Sequence, residues 1–243
     1  MNSTPLLFFG ILVALAASWW GMLVAPTLQL GNAPTVLSKE LGQHYPANRP
    51  GLAQQGAAIY RSEGCNTCHS QVVRPEGFGT DLARGWGKRR TVARDHLRDS
   101  PVMLGSVRIG PDLSNIGYRM GAGDTNAQPL MVAYHLKHLY HPRTVAPGSV
   151  MPAYPYLFEQ RPIQGAPSPQ ALKLEGTFAP PAGFEIVPKP EATALVAYLL
   201  SLRAGVSLAE APVLAPPTNA VDSATGSGQA TNSPPAGAAA PTP

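Results

Sequence analysis

Five consecutive residues, Cys65-Asn66-Thr67-Cys68-His69, place two thiols and an imidazole within one turn of chain, and these are the only two cysteines among 243 residues. Cys-x-x-Cys-His is the attachment signature of a c-type haem. Two thiols at this spacing can reach the two vinyl groups of one haem and form thioether bonds. The adjacent His then lies under the ring and can ligate the iron. Cys-x-x-Cys alone also serves as a redox dithiol or as half of a zinc site. The redox reading lacks a flanking βαβ pattern and the zinc reading lacks a second Cys-x-x-Cys, so the residues favour one covalent haem c.

An iron that only transfers electrons wants a second axial ligand, and a Met thioether opposite His raises the reduction potential. The downstream candidates are Met103, Met120, Met131 and Met151. Met131 sits in a helix-like stretch, where Met is more often core than ligand. Met151 sits in Val145-Ala-Pro-Gly-Ser-Val-Met-Pro-Ala-Tyr154, which is too Pro- and Gly-punctuated for a regular helix or a central strand. A rigid loop of this kind can carry a thioether to the far face of a haem. Met103 and Met120, also near loops, are the runners-up. His135, His138 and His141 offer a bis-His alternative, but a spacing of i, i+3, i+6 drifts round a helix, and solvated or propionate-contacting roles suit them better. In Gly110-Pro111-Asp112-Leu113 a backbone carbonyl, with Pro111 the candidate, would accept the Nδ1–H of the proximal His and fix its ring.

These residues need a scaffold. Residues 52–63 read as a helix ending at Gly64, just before the motif, and Gly56, Ala57 and Tyr60 share a face suited to a close helix crossing. The best partner is residues 190–202, with Pro at the start, Glu in the first turn and Gly205 past the end. Leu195, Tyr198, Leu199 and Leu202 make its apolar stripe. A third helix is expected over 128–141, with loops between. The fold class is therefore mainly α, a small domain whose core the haem itself completes.

Charged residues are only 13% of the chain, and the deficit is at the ends. Residues 1–38 hold no Lys, Arg, Asp or Glu, and residues 211–243 hold only Asp222. Residues 6–25 are apolar or small throughout, and twenty helical residues rise about 30 Å, the thickness of a bilayer core. Trp19 and Trp20 suit an aromatic belt near the outer end, and Gly10, Ala14, Ala17 and Gly21 form a face of small residues suited to close helix approach. A cleaved signal peptide would have a basic start and a shorter apolar run. The organisation expected is a transmembrane anchor over 1–26, a linker over 27–50, a haem domain over 51–205 and a Pro/Ala-rich tail over 206–243, disordered because it cannot bury enough surface to offset chain entropy. The stretch 84–98 is strongly basic, with Arg84, Lys88, Arg89, Arg90, Arg94 and Arg98 against Asp95; it reads as a solvated surface, a docking face for an acidic redox partner or a haem-propionate contact. The net charge of +4 is modest, and no pattern of groove-reading or stacking residues points to nucleic acid.

The chain resembles the mono-haem cytochrome c subunit (subunit II) of cbb3-type cytochrome c oxidases. The matching pieces are the N-terminal span, Tyr60-Arg-Ser-Glu-Gly-Cys-Asn-Thr-Cys-His-Ser-Gln-Val-Val-Arg-Pro75, Gly105-Ser106, Arg108, Gly110-Pro-Asp-Leu113, His141-Pro-Arg143, Pro147-Gly-Ser-Val-Met-Pro-Ala-Tyr-Pro155 and Leu195-Val-Ala-Tyr-Leu-Leu. The resemblance implies a cytochrome c-like domain in which Cys65 and Cys68 anchor the haem and His69 and Met151 ligate its iron. Arg74, in the Arg-Pro continuation of the motif, and Pro111 join them as cofactor-binding candidates. It also implies no catalytic residue of the chain's own. Electrons would come from another cytochrome c and pass to the haem–copper catalytic subunit that reduces oxygen. Cytochrome c maturation occurs outside the cytoplasm, so residues 27–243 are expected on the periplasmic side of a bacterial inner membrane, with the lipid bilayer holding the anchor. The alternatives are a stand-alone anchored shuttle, a donor subunit of a complex such as nitric-oxide reductase, and a haem peroxidase or sensor with an open iron position. Departures from the family are Val107 and Ile109 in the strap before Gly110, the basic 76–101 stretch, and residues 158–190, which read as an addition.

Overall fold

The computed structural model describes residues 3–31, 33–119 and 127–213. Most of the expected disordered tail, and the candidate Met120, lie outside the described residues.

The apolar N-terminus forms one long helix: α1 (Thr4–Trp19), a π turn (Trp20–Val24) and α2 (Ala25–Leu30). Pro26 accounts for the π turn. Its ring crowds the carbonyl four residues back and it brings no N–H. The ladder therefore slips by one residue, and the Ala25 N–H bonds to Trp20 O. The run is 27 residues and is apolar enough to cross a membrane. It extends past the expected end at Ala25, so Trp19 and Trp20 lie well inside it rather than near its outer end. Ser18 Oγ and Thr27 Oγ1 donate back to Ala14 O and Leu23 O, which leaves neither hydroxyl unpaired in an apolar helix. A Cβ added at Gly10 or Gly21 would meet nothing within 4 Å, so the small face is open.

Helices α3 (Gly51–Ser62), α4 (Ala127–Tyr140) and α5 (Pro190–Ser201) start and stop within a residue of the expectation. α3 and α5 cross at Gly56, where an added Cβ would lie 1.9 Å from Ala194 O. That approach stacks Tyr60 on Tyr198 with ring centroids 5.2 Å apart. The stripe on α5 is buried as expected, and so are Ala192, Ala194, Val196 and Leu200, because α4, α3 and the segment Phe184–Pro188 enclose the helix. The main apolar cluster joins these residues to Met103, Leu113, Met131, Leu139, Leu157 and Ile186.

Two antiparallel hairpins occupy segments read from sequence as linker and addition. β1 (Val36–Ser38) pairs with β2 (Gln43–Tyr45), and β3 (Phe158–Pro162) pairs with β4 (Phe184–Pro188). The packed body also runs past 205: Val206 and Leu208 are buried with Tyr45 in a second apolar cluster. The basic stretch holds that cluster together rather than lying free on the surface. Arg89, 4% exposed, pairs with buried Asp95 at 2.7 Å and donates to Val206 O. Tyr45 OH donates to the same carboxylate at 2.7 Å. Arg94 reaches both Pro34 O and Glu210, and Arg98 donates to Pro46 O. A buried pair of this kind is costly to break from one side, about 3–5 kcal/mol.

Candidate haem site

The motif sits where α3 runs out. Gly64, at φ +68°, reverses the chain, and a 3-10 turn over Cys65–Thr67 follows. The Cys68 and His69 N–H groups both bond to Cys65 O, at 3.2 and 3.0 Å, so the two thiols and the imidazole leave one tight turn. Both cysteines are free and half-buried. Burial, with Glu63 nearby, pushes the Cys65 thiol up to about 12. A thiol so raised is a poor redox nucleophile at neutral pH, which weighs against the dithiol reading.

A strap over residues 104–114 grips this turn. Gln71 N–H donates to Leu104 O at 2.8 Å, Ser106 N–H to Asn66 O at 3.3 Å, Gly110 N–H to Cys68 O at 3.0 Å and Leu113 N–H to Ser70 O at 2.8 Å. Fully buried Asp112 ties the same segments, accepting from Ser70 Oγ and Val72 N–H at 2.7 Å each and from Ser114 N–H at 2.9 Å. His69 Nδ1 lies 2.8 Å from Pro111 O. A carbonyl only accepts, so Nδ1 carries the proton and the Nε2 lone pair is left for a metal. Burial pushes His69 below its ordinary pKa, against the opposing pull of the Pro111 bond, which keeps the ring neutral. The ring lies directly on the strap: a Cβ at Gly110 would come within 2.2 Å of His69 Cε1. Gly105, at φ +81°, makes the same allowance for the His69 carbonyl, 2.3 Å from its would-be Cβ.

Met151 lies on the loop between α4 and β3. It is half-buried and packs on the same apolar cluster that Cys65 borders. The loop is fastened at Tyr154, whose N–H donates to Leu139 O at 2.9 Å, and at Tyr156, whose hydroxyl donates to Glu63 beside the motif. Met103 and Met131, at 8% and 2% exposure, are core side chains.

His135 departs from the solvated role: it is 5% exposed, and burial, with His138 beside it, pushes it down to about 4. Its Nε2, and Nδ1 of both His138 and His141, are buried with no hydrogen-bond partner among the described residues. Arg119, which the sequence reading did not single out, is similar. Among the described residues its Nε is buried without a partner, and its Nη2 donates to the carbonyls of Asp112 and Trp86. Burial lowers its pKa, and its charge is felt at His69. A half-buried guanidinium with no carboxylate in ion-pair contact among the described residues, next to a neutral imidazole with a free lone pair, fits a group that brings both a metal and carboxylates, as haem does. Arg74 is differently placed. With Arg108 it is engaged on Asp81, which is 0% exposed, at 2.9 and 2.6 Å. Burial pushes Asp81 up, but the two guanidiniums outweigh it and hold its carboxyl well below the usual range. Arg74 thus locks the segment after the motif and shares one carboxylate with Arg108.

The family model described as cytochrome c oxidase, mono-haem subunit/FixO matches residues 6–181. No curated protein matches the chain. The family match takes in the apolar helix, the two-thiol turn, the strap and the Met151 loop, well over half of the sequence. The chain belongs to the FixO family of mono-haem cytochrome c oxidase subunits.

Proposed function

We propose that this chain is the membrane-anchored electron-transfer subunit of a cbb3-type oxidase, with a cytochrome c-like domain that holds its one haem covalently and takes no catalytic part itself. Haem iron supplies one-electron chemistry by alternating between ferrous and ferric states. Cys65 and Cys68 would hold the porphyrin edge through thioethers, each S–H being added whole across a vinyl double bond so that no oxidant is required. His69 would ligate iron through Nε2 while Pro111 O holds its Nδ1 proton, which raises the ring's donor strength. Met151 would offer its thioether as a further iron ligand. Arg119 and His138, both near His69, would be polar partners for propionates. Helix Thr4–Leu30 anchors the chain in a bacterial inner membrane with the haem domain in the periplasm. Another cytochrome c is the donor and the haem–copper catalytic subunit the acceptor.

The observation that carries this reading is the His69 imidazole, locked by Pro111 O over Gly110 with both thiols on the adjoining turn. Haem staining after denaturing electrophoresis should colour the wild-type chain and not Cys65→Ala/Cys68→Ala, and purification from membranes should bring down a multi-span haem–copper subunit. Stain retained by the double variant would sink the covalent assignment. Co-purification with a different redox enzyme would replace the oxidase.

A further inference from the structure

The β1–β2 hairpin carries an apolar side chain that its own domain does not use. Val36 and Tyr45 face inward onto Val206 and Leu208, and Ser38 is buried as well. Between Val36 and Ser38, Leu37 points outward, 65% exposed, opposite exposed His44. The tip bears Lys39, Glu40 and Leu41. The hairpin is stiff: Gly42 N–H donates to Ser38 O at 2.9 Å, and Leu41 N–H to Ser38 Oγ at 3.2 Å.

What lies against Leu37 follows from the tether. The helix Thr4–Leu30 has 27 residues, about 40 Å of rise, which is the thickness of a bilayer with its headgroup layers. Its last turn therefore sits at headgroup level. The chain then turns at once, with Ala33 N–H on Leu30 O at 3.1 Å, and at Pro34 it is already clamped to the domain by Arg94. Leu37 is only seven steps along the chain from Leu30. Even fully extended they span only about 25 Å, and the turn shortens that.

We propose that this hairpin is a second membrane contact: Leu37 enters the interfacial layer of the bilayer and Lys39 sits among the lipid phosphates. An apolar side chain beside a cation suits that layer. The clasp of Arg94 on Pro34 and Glu210 transmits the contact to the domain, so that the haem face is held in one orientation above the membrane instead of swinging on a tether. The inference rests on the anchor reading above.

The test uses the full-length, haem-loaded chain in liposomes of phosphatidylcholine and phosphatidylglycerol. An environment-sensitive fluorophore is attached at Leu37→Cys, at Lys39→Cys and, as a control on the exposed face of β3, at Glu159→Cys. The expected result is blue-shifted emission, quenched by doxyl-labelled lipid, at positions 37 and 39 and neither effect at 159. Lys39 packs on no core residue, so its variant keeps the test valid should the label at 37 disturb the hairpin. A chain that sediments with liposomes while both hairpin labels stay in water overturns the membrane contact and leaves the anchor standing. Labels that stay in water in liposomes but are shielded in the purified complex overturn it in favour of a protein partner. A chain that does not sediment overturns the anchor and the contact together.

Discussion

Replacing Gly110 by Ala should disturb the His69 side of the candidate haem site. The new Cβ would lie 2.2 Å from His69 Cε1 and 2.6 Å from Nδ1. Carbon contacts settle at about 3.5–4.0 Å, so ring and strap must separate by roughly 1.3–1.8 Å. The Nδ1 to Pro111 O distance, now 2.8 Å, would then pass the limit of a hydrogen bond. Losing that bond costs about 0.5–1.5 kcal/mol, and overpacking adds about 1–3 kcal/mol. The melting temperature should fall by roughly 5–15 °C. The potential should move too, because the bond makes imidazole a stronger donor and favours ferric iron. If the whole bond energy discriminates between oxidation states, its loss raises the potential by up to about 60 mV, at 59 mV per tenfold for one electron. Gly148→Ala, beside Met151 in sequence, is the control, since its Cβ would meet nothing within 4 Å. Redox titration of the haem bands and a thermal melt read both effects. A Gly110→Ala chain that loads haem and matches the wild type in both would refute the idea that His69 is held against this strap.

Met151→Ala should open the iron to carbon monoxide and abolish the sulfur-to-iron charge-transfer band while leaving the covalent haem. Met151→His should lower the potential, since a nitrogen donor favours ferric iron. Met103→Ala, buried at 8% exposure, should cost about 2–5 kcal/mol of stability as a core cavity yet keep that band; loss of the band would make Met103 the ligand. Gly56→Ala should destabilise by about 1–3 kcal/mol or more, because its Cβ would meet Ala194 O at 1.9 Å; an unchanged urea midpoint would mean that α3 and α5 do not cross there. His135 is held down at about 4 against an ordinary 6.5. Between these values the unfolded chain takes up a proton and the folded chain does not. This contribution is therefore complete above about pH 6.5 and falls by up to about 3 kcal/mol towards pH 4. Urea midpoints across that range should slope in the wild type and flatten in His135→Leu.

The parts of this molecule that were legible in sequence are those whose partners are near in sequence or whose residue type admits one explanation. Pro190 and Glu191 mark the start of α5 whatever surrounds it, and Gly64 marks the end of the helix before the motif. The small face of α3 pointed to a crossing, and Gly56 is where it occurs. The hairpins were hidden for the opposite reason. β3 and β4 are separated by residues 163–183, so neither strand shows a turn signal joining it to the other, and Pro162 and Pro188 make each look like loop. The basic stretch misled because charge alone does not tell a solvated arginine from a clasping one. Arg89 and Arg94 are explained by Val206, Pro34 and Glu210, more than fifty residues away. The same partners carry the packed body past the expected start of the tail. His135 looked solvated for want of any sign of what covers α4.

The two sides of the candidate site are built to different tolerances, and this bears on how the subunit could be tuned. On the His69 side, four backbone hydrogen bonds join residues 66–71 to residues 104–113, a buried carboxylate ties both segments, and two glycines are pressed against the backbone and ring of one residue. Neither glycine can take a side chain without moving the strap, although Val107 and Ile109 between them point outward, and the strap also carries Leu113 into the core. On the Met151 side the loop is fixed at its far end, through Tyr154 and Tyr156, and Met151 itself is held through Ser149 Oγ at 3.2 Å. Gly148 has free space and Val150 is 75% exposed. Changes of ligand or of solvent access can therefore be made from this side without unfolding the domain. Chemistry at the haem should vary through the Met151 loop, while a side chain added at Gly105 or Gly110 should be read first as a loss of fold.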